Sequence, residues 1–416
     1  MINCKKQRPL VLIIFLITTG CIKSSLDVKV VALAKNLSNA TTTGTISIVP
    51  KKIAVGTSKA MAITSLGIAQ SWGDNFEINN TAHGQLGLGL GLLSVNNVIN
   101  TPTILNDPGT SYLSIVSGET QSCGITNSQN IKCWGTFVGS GSGNEADSPT
   151  LINDDGLTFY SDISAGSYHT CAITRDGVMK CWGDGWDGKL GNSNGTGAIE
   201  NSPITANIGT SYKRVAAGRN HTCAITNNDK IQCWGNNSLG QLGDGTNTSP
   251  RLSAVNIDPS TSYEDIAAGE DSTCAITTAG ILKCWGANGY GQVGNNTLVN
   301  QFTPIIIDAG TTYAKVALSA TFAHHTCAIT TAGALKCWGS NSNGQLGNGT
   351  TGTPPSQIPL LIDAGIIYRE ISVSFKSSCG ITIAGSLKCW GDNGSGQLGL
   401  GNTTQKNTPT LVAPGY

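Results

Sequence analysis

A Trp-Gly pair recurs seven times in this chain, at Trp72, Trp134, Trp182, Trp234, Trp285, Trp338 and Trp390, with spacings of 62, 48, 52, 51, 53 and 52 residues. A tyrosine keeps the same step, at Tyr112, Tyr160, Tyr212, Tyr263, Tyr313, Tyr368 and Tyr416. Two markers with one period define an array of a single supersecondary unit, in which neighbouring units bury each other's apolar faces. In the unit 202–247, short extended stretches fall at 202–205, 212–217, 221–226 and 230–234, and the glycine-rich Gly240-Gln241-Leu242-Gly243 leads onward. Four short strands joined by tight connections make one propeller blade. An open solenoid needs polar capping repeats, whereas a closed ring needs none. The chain enters the array at Ile53-Ala54-Val55-Gly56, with Pro50 in the tyrosine slot, and ends on Pro409-Thr410-Leu411-Val412 and Tyr416, which open an eighth repeat. The expected fold is therefore an all-β, seven-bladed β-propeller of four-stranded antiparallel blades over 45–416. Its C-terminal strand is expected to complete the first blade and close the ring, leaving no free edge there.

These residues resemble the regulator-of-chromosome-condensation repeat family, through Ala217-Gly218-Arg219-Asn220-His221-Thr222 and Gly240-Gln241-Leu242-Gly243. The resemblance covers about 50–416 and implies seven blades. It implies far less about function, because the family includes a nucleotide-exchange factor for a small GTPase, domains fused to many modules, and bacterial extracellular proteins such as a β-lactamase inhibitor. It also implies that His169, His221 and His325, which share one slot, are framework residues bonded to neighbouring backbone.

Twelve of the fourteen cysteines form six pairs ten residues apart: Cys123 with Cys133, Cys171 with Cys181, Cys223 with Cys233, Cys274 with Cys284, Cys327 with Cys337, and Cys379 with Cys389. A three-residue loop, Arg175-Asp176-Gly177, sets Thr174 against Val178, and counting outwards sets Cys171 against Cys181, within disulfide reach. Blade one carries Met61 and Ser71 in these two slots, so both partners are missing together, as a bonded pair requires. A metal reading has to combine His221 with Cys223 and Cys233, but the histidine slot elsewhere holds Gln121, Ser272 and Ser377, and no Cys-x-x-Cys occurs.

The N-terminus has the layout of a secretory signal. Lys5, Lys6 and Arg8 precede the apolar run 10–17, and Thr18-Thr19-Gly20-Cys21 follows. This resembles a bacterial lipobox, which implies a signal peptide over 1–20, lipidation of Cys21, and a tether over 21–44. Ordinary signal cleavage with a free Cys21 thiol is the alternative. An exported chain is also where paired cysteines belong.

Charged residues are only 12 % of the chain and the net charge is zero, so no basic field suits nucleic acid. Nothing points to a cofactor, and no phosphate loop occurs. Asp392-Asn393-Gly394-Ser395-Gly396 lacks the distal glutamate of a calcium loop. The chain is read as a non-enzyme.

Recognition is expected where repeats depart from one another. Blade one inserts 76–81, with Phe76. Blade two loses Gly-Gln-Leu-Gly and carries Phe137. Trp186, the one tryptophan outside the framework, and Tyr290 are expected to lie near one another. Blade six gains three residues around Phe322 and His324. Phe76, Phe137, Trp186, Tyr290 and Phe322 are thus the candidate partner-binding residues. The reading is a monomeric, membrane-anchored extracytoplasmic binding or scaffold protein at a bacterial outer membrane or cell surface, with a protein or glycan partner. An exchange-factor-like regulator and an extracellular carbohydrate-active enzyme are the alternatives.

Overall fold

The computed structural model of the chain describes residues 49–75, 84–90, 98–141, 145–152, 154, 156, 158–322, 324–352 and 354–412. Segments 1–20 and 21–44, Cys21, Phe76 and Tyr416 lie outside the described residues.

Twenty-eight described strands form seven antiparallel sheets of four, making an all-β, seven-bladed propeller. Blades one to seven span 50–104, 112–151, 160–205, 212–257, 263–306, 313–362 and 368–411. Within each blade the strands follow chain order from the inner strand, against the channel, to the outer edge. Every blade is therefore one uninterrupted stretch of chain.

This corrects the expected closure. The stretch 202–205 belongs to β12 (Thr196–Thr205), the outer strand of blade three, where Ile204 faces Cys181. Likewise the last strand, β28 (Lys406–Leu411), pairs with β27 (Leu387–Gly391) and completes blade seven rather than blade one. The reason is local: the Gly-rich connection folds each such stretch back on the Trp-Gly strand just before it, the shortest route to a paired edge. The ring closes by packing instead. Cys379, Cys389 and Ile381 of blade seven share a core with Ile53, Ala60 and Trp72 of blade one. The indole Nε1 of Trp72 donates to the Gln397 carbonyl at 2.9 Å, and the Val55 amide donates to Ser372 Oγ at 3.0 Å.

The two sequence markers hold the blades together. All seven Trp-Gly tryptophans are fully buried. Each packs on the blade before it, as Trp285 and Tyr263 pack on Cys223, Ile225, Ile231 and Cys233. Burying a large apolar side chain contributes roughly 1.5–3 kcal/mol. The tyrosine keeps its hydroxyl satisfied: Tyr263 Oη donates to Asp258 at 2.6 Å, and Lys283, beside Cys284, reaches the same carboxylate at 2.6 Å. Those bonds hold Asp258 at about 2, against the opposing effect of burial. The same trio recurs as Tyr313, Asp308 and Lys336, and as Tyr368, Asp363 and Lys388.

All six cysteine pairs are disulfides between directly facing residues: Cys123 with Cys133, Cys171 with Cys181, Cys223 with Cys233, Cys274 with Cys284, Cys327 with Cys337, and Cys379 with Cys389. The Cα atoms are 4.1 Å apart at Cys171 and Cys181. Each bridge sits in the middle of its sheet. Cys337, for instance, faces Cys327 on one side and Leu360 of the outer strand on the other, fully buried. In blade one Met61 faces Ser71 in the same register. Two hairpins that lack the loop glycine hold Gln129 and Asp229 there, at φ of 65° and 63°, the left-handed turn that Gly177 adopts at 82°.

The seven inner strands line a central channel, with a cavity of about 240 Å³ walled by small apolar and seryl side chains. Near one mouth, the slot two residues after the tyrosine reads Lys52, Ser114, Asp162, Arg214, Asp265, Lys315 and Glu370 in blade order, alternating in sign except at Ser114. Glu370 takes both Lys52 and Lys315 at 2.9 Å, and Asp162 accepts the Val215 amide of the next blade at 2.9 Å.

Candidate functional site: the loop face of blades four to seven

In an up-and-down blade, the loop between strands one and two and the loop between strands three and four leave the same end of the sheet. Phe137, Trp186, Tyr290 and Phe322 all lie in, or at the start of, such loops. They therefore share one face of the ring.

The structure gathers two of them. The three extra residues of blade six lengthen the loop between β21 (Tyr313–Leu318) and β22 (His325–Thr330), which crosses the channel mouth. Its Ala320 carbonyl accepts from Ser167 Oγ of blade three at 2.7 Å, and Ser319 and Ala320 are among the residues that line the channel cavity. Phe322 follows with φ of 34°. Its ring meets Phe375 of blade seven at 5.8 Å, and the Arg219 guanidinium of blade four lies 4.0 Å from its centroid. Further along the loop, His324 stacks flat on Tyr290 of blade five, centroids 4.1 Å apart and planes within 4°. Together with Lys376, these rings wall a cleft of about 290 Å³.

Charges support the aromatic floor. Glu270 pairs with Arg219 and lies 3.4 Å from His324 Nδ1. Burial raises the Glu270 carboxyl despite that pairing, and lowers His324 despite Asp271. Burial and the Glu270 charge together push Asp271 up to about 6. Lys376 lies 4.6 Å from the Phe375 centroid. The cleft thus offers a half-exposed Tyr290 ring, two phenylalanine rings and the Lys376 cation, with the Arg219 guanidinium against Phe322, a surface suited to recognition. Among the described residues, no group of three or more His, Cys, Asp or Glu side chains is placed to hold a metal.

The other candidates lie elsewhere. Trp186 does not lie near Tyr290: it stands in blade three, with blade four between them, over Gly197 at the tip of an extended hairpin, 60 % exposed. The expectation failed because it aligned loop slots without counting the intervening blade. Phe137 meets Tyr168 edge-on at 6.3 Å. Arg219, Glu270, Asp271, Phe375 and Lys376 were missed. Their signal was residue type, not length, since the slots between inner-strand glycine and histidine differ in every blade.

The histidines are framework residues, but their partner is a hydroxyl of the next blade rather than backbone. His169 Nε2 meets Thr222 Oγ1, His221 meets Thr273, and His325 meets Ser378 Oγ, each at 2.9 Å. The hydroxyl donates onward to a loop carbonyl, as Thr273 does to Gln241 at 2.8 Å, so the histidine must donate from Nε2. The same carbonyl takes Trp285 Nε1 at 3.0 Å. Burial pushes His221 and His325 down to about 3, so both stay neutral. The His221 ring also fixes Gly218, where a Cβ would sit 2.4 Å from Cε1.

Comparison with known proteins agrees with this architecture. Residues 79–415 match the model of the RCC1-like domain, and the chain belongs to that family. It is 31 % identical over 233 residues to the ultraviolet-B receptor UVR8 of Arabidopsis thaliana, covering 55 % of this chain and 52 % of that protein. The chain thus spans about half the length of that curated relative. Among solved structures it is similar to human WBSCR16, with a TM-score of 0.69 at 19 % identity, covering 83 % of this chain and 94 % of the other. It is also similar to yeast RCC1 (Prp20) in a structure with Kap60, with a TM-score of 0.70 at 16 % identity over 91 % and 90 % of the chains. At such identities the likeness is one of fold.

Proposed function

We propose that this chain is an exported binding protein, anchored at a bacterial membrane through a lipid on Cys21, that offers the cleft of Tyr290, Phe322, His324 and Phe375 to a protein partner. The observation that carries the recognition half is the convergence of four rings from blades five, six and seven on one cleft. Framework positions serve packing, whereas this cleft is built from the residues in which the repeats differ. Export is supported by the signal layout of 1–20 and by six disulfides, which persist in an oxidising compartment. A lipid holds because each buried methylene contributes about 0.8 kcal/mol.

The test is crosslinking on intact cells with wild type and a Tyr290→Ala/Phe322→Ala double variant. Loss of one specific protein crosslink, with the melting temperature kept, is the expected result. An unchanged crosslink pattern sinks the site, and capture of a glycan in its place reassigns the partner. Incorporation of a labelled fatty acid that disappears in Cys21→Ser checks the anchor separately.

A further inference from the structure

The outer strand of each blade has a side that no other strand pairs, and six of the seven carry a proline at one slot. The slot precedes the residue that faces the outer cysteine, or Ser71 in blade one: Pro102, Pro149, Pro203, Pro304, Pro359 and Pro409. Ile152, two residues beyond the one facing Cys133, donates inward to Ile131. Alternation along the strand then points the slot's N–H outward, which is where a proline is tolerated. Each proline removes an outward donor and blunts its edge against another strand.

Blade four is the exception. Its outer strand β16 (Arg251–Ile257) sets Val255 against Cys233, and the slot holds Ala254. Ala254 and Asn256 keep their outward N–H groups. A second departure coincides with this edge. The hairpin of β11 (Met179–Trp186) and β12 has the longest strands of its kind, eight and ten residues. It stands beside the start of β16: a Cβ on Gly188 or Gly195 would lie 2.7 Å from Leu252 Cδ2. That hairpin carries exposed Trp186.

We infer that β16 is a strand-addition site, which takes an extended peptide segment of a partner as a fifth strand of blade four, with an apolar side chain of that peptide against Trp186. The backbone row specifies an extended chain, because only another strand answers its alternating donors and acceptors. Trp186 specifies an apolar residue. The flanking hairpin favours a single strand over a second ring, whose broad edge would have to pass it. This inference depends on neither the loop-face cleft nor export.

Ala254→Pro is the decisive variant, since six sister blades already carry proline in this slot and the fold accepts it. The probe is an eight-residue synthetic peptide of alternating threonine and valine with lysine at each end. With the full chain, saturable binding is expected, with at least tenfold slower exchange of the Ala254 and Asn256 amides. Ala254→Pro should weaken binding at least tenfold at unchanged melting temperature, and Trp186→Ala should weaken it less. Absence of peptide binding, or equal binding by Ala254→Pro, overturns the inference. Concentration-dependent dimers of the wild type that Ala254→Pro abolishes would overturn it too, making a second copy the occupant.

Discussion

The Nε2 of His221 lies 2.9 Å from Oγ1 of Thr273, one blade further round the ring. With its hydroxyl donating to Gln241, Thr273 accepts only from a neutral, Nε2-protonated ring. The folded His221 stays near 3, below the ordinary 6.5 of an unfolded chain. Between those values the unfolded state binds the extra proton, so this stability is present above pH 6.5 and is lost as pH falls. Each such histidine steepens the loss by up to about 1.4 kcal/mol per pH unit. His221→Gln should reduce the slope of unfolding free energy against pH, between pH 6 and 4, by about one proton. An unaltered slope in urea titrations would falsify the neutral buried state of His221.

Asp271 works in the opposite direction. Burial and Glu270 raise its carboxyl from 3.8 to about 6, so the folded state holds a proton that the unfolded state has released. Its contribution is whole below pH 4 and is lost as pH rises through 6. Asp271→Asn should therefore stabilise the ring at pH 7 by about 1–2 kcal/mol and leave it unchanged at pH 3.5. Calorimetry at the two values decides this.

The seams between blades are unequal. Thr222 Oγ1 donates to the Lys189 carbonyl at 2.8 Å, and Trp234 Nε1 reaches the same oxygen at 2.9 Å. At the seam of blades two and three, Thr170 Oγ1 and Trp182 Nε1 have no hydrogen-bond partner among the described residues. Blade two lacks the Gly-Gln-Leu-Gly turn whose carbonyl would serve them. Thr222→Val should cost about 1–3 kcal/mol, whereas Thr170→Val should be neutral or stabilising. Equal losses in chemical denaturation would contradict this ranking.

Blade one can be given the missing bridge. Met61 and Ser71 face each other as the six cysteine pairs do. The double variant Met61→Cys/Ser71→Cys should oxidise spontaneously and stabilise the protein by up to about 3 kcal/mol. Mass spectrometry reads the loss of two hydrogens, and the melting temperature with and without reductant reads the gain.

Much of this fold was legible because its determinants repeat. Seven tryptophans at one step fixed the number of blades, and the ten-residue cysteine separation fixed the hairpin register at Cys171 and Cys181, as at Cys327 and Cys337. What was not legible was phase. The sequence around Ser202 has no mark saying whether it pairs backward with Cys181 or forward with Tyr212, so the closing strand was assigned to the wrong blade. The loop cleft was half legible. Phe322 and Tyr290 stood out as departures, but Phe375 and Glu270 meet them only because blades five to seven converge at the channel mouth. Proximity of that kind depends on the curvature of the ring, which no local spacing encodes.

The sign-alternating slot at the channel mouth carries one last consequence. Strict alternation cannot be completed around an odd ring, because two like charges must then meet somewhere. Here Ser114 occupies the surplus position, between Lys52 and Asp162, and Glu370 sits between two lysines. Leaving out any one of blades four to seven would set two like charges side by side, whereas leaving out blade two would complete the alternation, so the sequence of those four blades is written in the inner strands as well as in the chain.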